Sequence, residues 1–314
     1  MGIDHVLLIG FGGPTKPEEI QPFLEEVTRG LPIPPARIQE VAHHYEVVGG
    51  RSPYHEHTQR LFTRLQERLR AAGVGLPMFL GMRNWHPFLR DVMGEIKRQG
   101  LTRGVGVILA PHRSDASYEK YIRNVEDAKV HVAAPDIHYE YLPPWHDHPL
   151  FIEAQAAQVK HALESAPPGA HLLFSAHSIP VEMAQRCRYG EEFRASSEAV
   201  AKALGWTKWS LTYQSRSGNP RQTWLEPDVA SAIRALKQQG EHHVIVVPIG
   251  FLCDHVEVLF DLDIVAKQAA QDAGIGFSRA STVMDHPKFV EMVAQLITTA
   301  LAPASPQTRS ASRR

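Results

Sequence analysis

Six short apolar runs, each ending in turn residues, constrain the fold of this chain more than any other feature. They are HVLLIGFGGP (5–14), LPMFLGMRN (76–84), GVGVILAPH (104–112), HLLFSAHSIP (171–180), WSLTYQSRSGNP (209–220) and HHVIVVPIGF (242–251). Each is near-continuously apolar instead of alternating, as expected of parallel strands covered on both faces. Stretches of helical period lie between them, including HTQRLFTRLQERLRAAG, HPFLRDVMGEIKRQG, FRASSEAVAKALG, PDVASAIRALKQQG and HVEVLFDLDIVAKQAAQDAG. Each closes on glycine, a usual helix stop. The alternation predicts an α/β fold with a doubly wound parallel sheet.

The order of elements repeats. Residues 5–128 run strand, helices, strand, helix, strand, helix, and residues 171–273 follow the same course, with VILAP and VIVVP as matching third strands. Two similar Rossmann-like lobes follow: an N-terminal α/β lobe at 1–150 and a C-terminal lobe at 151–302. The Pro- and His-rich stretch PDIHYEYLPPWHDHP (135–149) falls near the crossover. Ligands on such sheets bind at the carboxyl ends of strands, so the cleft between lobes is the expected site. The tail PASPQTRSASRR (303–314) has almost no apolar content and is expected to be disordered.

Composition removes several function classes. Hydrophobic residues make up 43% and charged residues 21%, which excludes a disordered, collagen-like or coiled-coil chain. Lysine and arginine number 33 against 34 acids, so no basic surplus is available for nucleic acid. Two cysteines, Cys187 and Cys253, are too few for a disulfide scaffold or a four-thiolate metal or iron–sulfur site, and point to a reducing compartment. The start MGIDHVLLIGFGG lacks a basic signal-peptide region, and no apolar stretch reaches the roughly 18 to 20 residues of a membrane span, so a cytoplasmic location is expected. The glycine turns GFGGP and VVGGRSP match neither G-x-G-x-x-G nor a P-loop, and no G-x-S-x-G elbow is present. The 18 histidines direct attention to metal or proton chemistry.

Two constellations could carry such chemistry. In FSAHSIP a strand delivers His177 at its carboxyl end and Pro180 stops the strand; the ring is either free for chemistry or tied into its own turn by Ser175 or Ser178. In GFLCDHVEVLFDLD (250–263) a strand end enters a helix with the apolar face Val258, Leu259, Leu262, Val265 and Ala269. Glu257 and Asp261 then stand at i and i+4, with His255 in the first turn. Like charges at that spacing repel by a few tenths of a kcal/mol. A nearby cation, or a proton held by one carboxylate, would relieve them. Asp254 and Glu257 also have D-x-x-E capping spacing, and Asp254 is read as the helix cap. Histidine with carboxylates suits a borderline ion such as iron(II), cobalt(II) or zinc(II).

Residues 6–300 resemble the ferrochelatases, the heme-pathway enzymes that insert iron(II) into a porphyrin. Five motifs carry the resemblance in order: LLIGFGGP, HYEVVGGRSP (44–53), FSAHSIP, YQSRSGNPRQTWLEPDV (213–229) and PIGFLCDHVEVLFDLD (248–263). The resemblance implies the chelatase fold, in which each lobe is a four-stranded parallel sheet flanked by helices. It implies Fe2+ insertion with release of two protons, catalytic His177 and Glu257, and His255 and Asp261 beside them in an H-x-E-x-x-x-[ED] pattern as further metal-handling residues. The partners implied are a porphyrin and Fe2+, with no organic cofactor and no iron–sulfur cluster.

The sub-pattern VTRG…HYEVVGGRSPY…LAPHRSDASYEKY is similar to the bacterial branch that metallates coproporphyrin III, and places Arg29, Ser52 and Tyr121 at the propionates. Phe11, Trp224, Phe251 and Leu252 are candidate walls for the macrocycle. Phe11 stands where some members carry an iron-ligating tyrosine, so axial ligation of product iron is not implied and protoporphyrin IX stays open as substrate. A class II chelatase of the cobalt–sirohydrochlorin type and a non-catalytic porphyrin or heme carrier are the alternatives. Peripheral membrane contact and transient contact with neighbouring heme-pathway enzymes also stay open.

Overall fold

The computed structural model describes residues 2–217 and 222–302. The tail at 303–314 and residues 218–221 of the YQSRSGNPRQTWLEPDV segment lie outside the described residues. The first lobe holds β1 (His5–Gly10), α1 (Ile20–Val27), α2 (Pro35–Val47), α3 (Tyr54–Ala71), β2 (Met78–Met82), α4 (Leu89–Arg98), β3 (Arg103–Ile108), α5 (Tyr118–His131) and β4 (His138–Tyr141). After α6 (Pro149–Glu164) come β5 (His171–His177), α7 (Val181–Ala184), α8 (Tyr189–Ala203), β6 (Trp209–Gln214), α9 (Val229–Gln238) and β7 (His243–Val247). The chain then runs through α10 (Val256–Phe260), α11 (Lys267–Ala273), β8 (Gly276–Arg279) and α12 (Pro287–Leu301).

Both sheets are wholly parallel, and their strand orders match: β2-β1-β3-β4 and β6-β5-β7-β8. The six apolar runs form β1, β2, β3, β5, β6 and β7, of which β2 and β6 stand at sheet edges; every residue of β1 is buried. β4 and β8 do not stand out as apolar runs. They are four-residue edge strands, and β4 alternates exposed and half-buried positions inside the 135–149 stretch. Neither has a buried residue, so neither leaves an apolar run for local pattern to show.

One buried cluster runs from Val6, Leu8 and Val107 through Trp145 and Phe151 to Leu172, Phe174 and Phe289, so the lobes share a core. α12 packs on α3 of the first lobe as well as on α6. Arg113, after β3, reaches the buried carboxylate of Glu192 on α8 at 2.7 Å. Among the described residues no helix is long and apolar enough to cross a membrane.

Much of the histidine surplus is structural. His5, His171 and His243 open β1, β5 and β7; the His171 and His243 rings reach Ser210 and Ser278 on the adjacent strands at 2.9 and 2.8 Å, and the His5 ring reaches past β3 to Tyr139 of β4 at 2.9 Å. His148 and His286 cap α6 and α12, their Nδ1 atoms accepting the amides of Leu150 and Lys288.

The segment 250–263 departs from expectation in two ways. The helix is interrupted by a π-turn over Asp261–Ala266, which adds a residue and shifts the phase. Val258, Leu262 and Ala269 are buried as expected, but Ala266 takes the inward position and Val265 is 41% exposed. The cap is also different. His255 Nδ1 accepts the Glu257 amide at 3.2 Å, whereas Asp254 turns to Arg279 at 3.0 Å and Thr282 at 3.2 Å.

Candidate active site

His177 is the last residue of β5, and its ring keeps 32% of its surface open. Its Nδ1 bonds the main-chain carbonyl of Ser178. A carbonyl only accepts, so Nδ1 carries the hydrogen and the lone pair sits on Nε2. That Nε2 lies 3.6 Å from Oε1 of Glu257, on the first turn of α10. The ring is thus tied into its turn by Ser178 and is also aimed at a carboxylate. Ser175 instead donates to Gln214.

The electrostatics follow from this geometry. Burial alone would depress the His177 pKa, but the Glu257 charge, its hydrogen bond and the Ser178 carbonyl outweigh burial and raise it above the ordinary value. Burial would raise the Glu257 pKa; the imidazole, with help from His255 and Arg37, pulls it down to about 2. Asp261 goes the other way. Burial, opposed by a hydrogen bond from the Ser215 hydroxyl and reinforced by the Glu257 charge, pushes it up to about 6. Two carboxylates four residues apart therefore differ in role at neutral pH, one firmly ionised and the other near its titration point. His255 stays neutral, its pKa lowered by burial, and its Nδ1 is committed to the helix cap. Among the described residues no three His, Cys, Asp or Glu side chains are already arranged around a metal position.

A second group lies at the strand ends of the first lobe. The Arg83 guanidinium stands 5.8 Å from the ring centre of Phe11 and 5.9 Å from that of Tyr121. Phe11 packs edge-on against Phe23 at 6.3 Å. Tyr121 is buried, and burial pushes its hydroxyl pKa up against the opposing charge of Arg83. Burial lowers the Arg83 pKa, and no carboxylate pairs with it among the described residues. Arg83 was not singled out from the sequence; its only signal is a cation directly after the apolar run of β2.

The remaining expected residues are more dispersed. Ser52 is buried in the turn before α3, where its amide donates to Pro14 O at 2.8 Å and its hydroxyl accepts the Tyr54 amide. Trp224 is buried beside Pro180 with its indole N–H unpartnered. Arg29 is exposed just past the end of α1 and pairs with Glu26 in the last turn of that helix.

The backbone behind His177 is tight. A Cβ on Gly250 would fall 2.6 Å from both Cα and Cβ of Ala176. Gly250→Ala is expected to destabilise the protein by roughly 1–3 kcal/mol, the usual cost of overpacking, read as a lower urea midpoint at unchanged slope.

The family model described as Ferrochelatase matches residues 4–301. A ferrochelatase from Rhodopirellula baltica is 40% identical over 298 residues, covering 94% of this chain and 85% of that protein. A coproporphyrin III ferrochelatase from Mycolicibacterium paratuberculosis is 40% identical over 300 residues, covering 95% and 88%. Among solved structures, SirB from Bacillus subtilis with Fe3+ aligns over 96% of both chains with a TM-score of 0.59 at 12% identity, a likeness of fold alone. With matched sequence running through both lobes, the chain belongs to the ferrochelatase family of enzymes.

Proposed function

We propose that the protein inserts iron(II) into coproporphyrin III, with His177 accepting pyrrole protons and Glu257 and Asp261 handling the ion and the outgoing protons. The observation that carries this is the His177 Nε2 lone pair set 3.6 Å from Glu257 by a fixed Nδ1–H. A free-base porphyrin must lose two N–H protons as iron enters, and its flat ring hides the nitrogens. Holding a buckled macrocycle better than a flat one lowers that barrier. His177 receives a proton, and the neighbouring Glu257 charge stabilises the imidazolium formed. Asp261, titrating near 6, can then take up and release a proton toward solvent. Iron and protons exchange without a change of oxidation state, so the reaction calls for no redox cofactor and no ATP.

Phe11 and Tyr121 offer aromatic surface for the disc, and Arg83 offers a guanidinium for a propionate. Coproporphyrin III is favoured because relatives at 40% identity bear that name. Iron(II) and two free thiols, Cys187 and Cys253, fit the reducing cytoplasm.

The test is anaerobic mixing of iron(II) with coproporphyrin III and protoporphyrin IX, followed by loss of free-base fluorescence. Coproporphyrin is expected to be consumed first when both are present at equal concentration. Equal consumption defeats the substrate choice, and metallation of neither defeats the reading.

A further inference from the structure

His177 and Glu257 come from separate elements, β5 and α10, so their spacing needs a third element to hold it. Helix α10 is only five residues long and runs directly into the π-turn, which makes it a weak anchor by itself. Gln214, the last residue of β6 and the register partner of His177, supplies the tie. It is 3% exposed. Its main-chain carbonyl accepts the Ser178 amide at 2.7 Å. Its side-chain Oε1 accepts the Ser175 hydroxyl at 2.6 Å, and its Nε2 donates to the main-chain carbonyl of Glu257 at 2.8 Å. One amide therefore joins the strand that delivers the imidazole to the residue that carries the carboxylate.

We infer that Gln214 is a positioning residue that sets the imidazole–carboxylate spacing, an inference that rests on the proposed roles of His177 and Glu257. Its amide does not titrate, and it meets the main chain of Glu257, not the carboxylate. It acts through the two groups it joins. The chemistry tolerates little error here, because a misplacement of about 1 Å at a reacting group can cost on the order of 100-fold in rate. Tyr189 on α8 completes the support, its hydroxyl donating to the His177 carbonyl at 2.8 Å. The peptide between His177 and Ser178 is thus held at its C=O by Tyr189 and at its N–H by Gln214.

The experiment compares the whole protein with Gln214→Met, which keeps the side-chain length and removes both amide bonds, using iron(II) and coproporphyrin III. The turnover number is expected to fall about 10- to 100-fold with the porphyrin KM within about twofold of wild type. Ser175→Ala leaves Gln214 bonded to Glu257 and frees only the strand side, so a smaller fall of about 3- to 10-fold at constant KM is expected. If Gln214→Met does not fold, Ser175→Ala decides the matter. Wild-type kcat in the folded variants overturns the inference, as does a loss confined to KM, which would assign Gln214 to substrate binding. A wild-type protein that does not metallate overturns the underlying reading instead, and is seen before any variant is compared.

Discussion

Replacing His177 with alanine is expected to reduce metallation by on the order of 10²- to 10⁴-fold, the range for loss of a positioned proton acceptor, while coproporphyrin III still binds. The expectation comes from three features acting together. The Ser178 carbonyl holds the hydrogen on Nδ1, so the ring presents its lone pair on Nε2. Glu257 lies 3.6 Å from that atom and stabilises the charge that forms when a proton arrives. Methyl in place of imidazole removes the acceptor but leaves Phe11, Tyr121 and Arg83, which lie on the first lobe, so affinity for the disc should change little. Porphyrin binding is read by fluorescence without iron, and turnover by the same signal after iron is added. A variant that turns over at the wild-type rate would show that protons leave by another route. A variant that no longer binds porphyrin would place the imidazole in the binding surface.

The inner strands and the position of His177 were legible because local sequence carries them. A strand covered on both faces must be apolar throughout, as in HVLLIG and HLLFSAH, and Pro180 marks where the second of these stops. The features that stayed hidden depend on distant partners. Asp254 has correct local spacing for a cap, but Arg279, 25 positions along the chain, takes it into an ion pair and leaves the cap to His255. The π-turn inserts a single residue, and its only trace in the sequence is that both Val265 and Ala266 are apolar. Gln214 is a common amide at the end of an ordinary strand; its importance appears only once Ser175 and Glu257 are brought to it from two other elements. Phe11, Ser52 and Tyr121 came from the family resemblance and not from periodicity. The structure puts Phe11 and Tyr121 around one guanidinium, while Ser52 serves a nearby turn and Arg29 is held by Glu26.

Glu257→Gln is expected to change the pH dependence as well as the rate. Metallation needs neutral His177, so in wild type kcat/KM should rise with pH through the His177 pKa, which lies above 6.5. The largest influence on that ring is burial, which lowers the pKa, and the Glu257 carboxylate is the leading one that opposes it. With glutamine in place the charge is gone and burial remains, so the acid limb should move to lower pH while the plateau falls by about 10- to 100-fold. Asp261 responds in the same direction, since part of what holds its pKa near 6 is repulsion from Glu257. Stability follows its own sign. A carboxylate depressed from 4.5 to about 2 stabilises the folded state above pH 4.5, and that contribution is lost as pH falls toward 2. Glutamine has no such contribution, so the variant should lose less stability than wild type over that interval. The helix cap should survive, because His255 accepts the main-chain amide of residue 257 whichever side chain follows it. An acid limb that stays at the wild-type position would mean that Glu257 does not set the imidazole pKa, and the coupling of these two side chains would have to be abandoned.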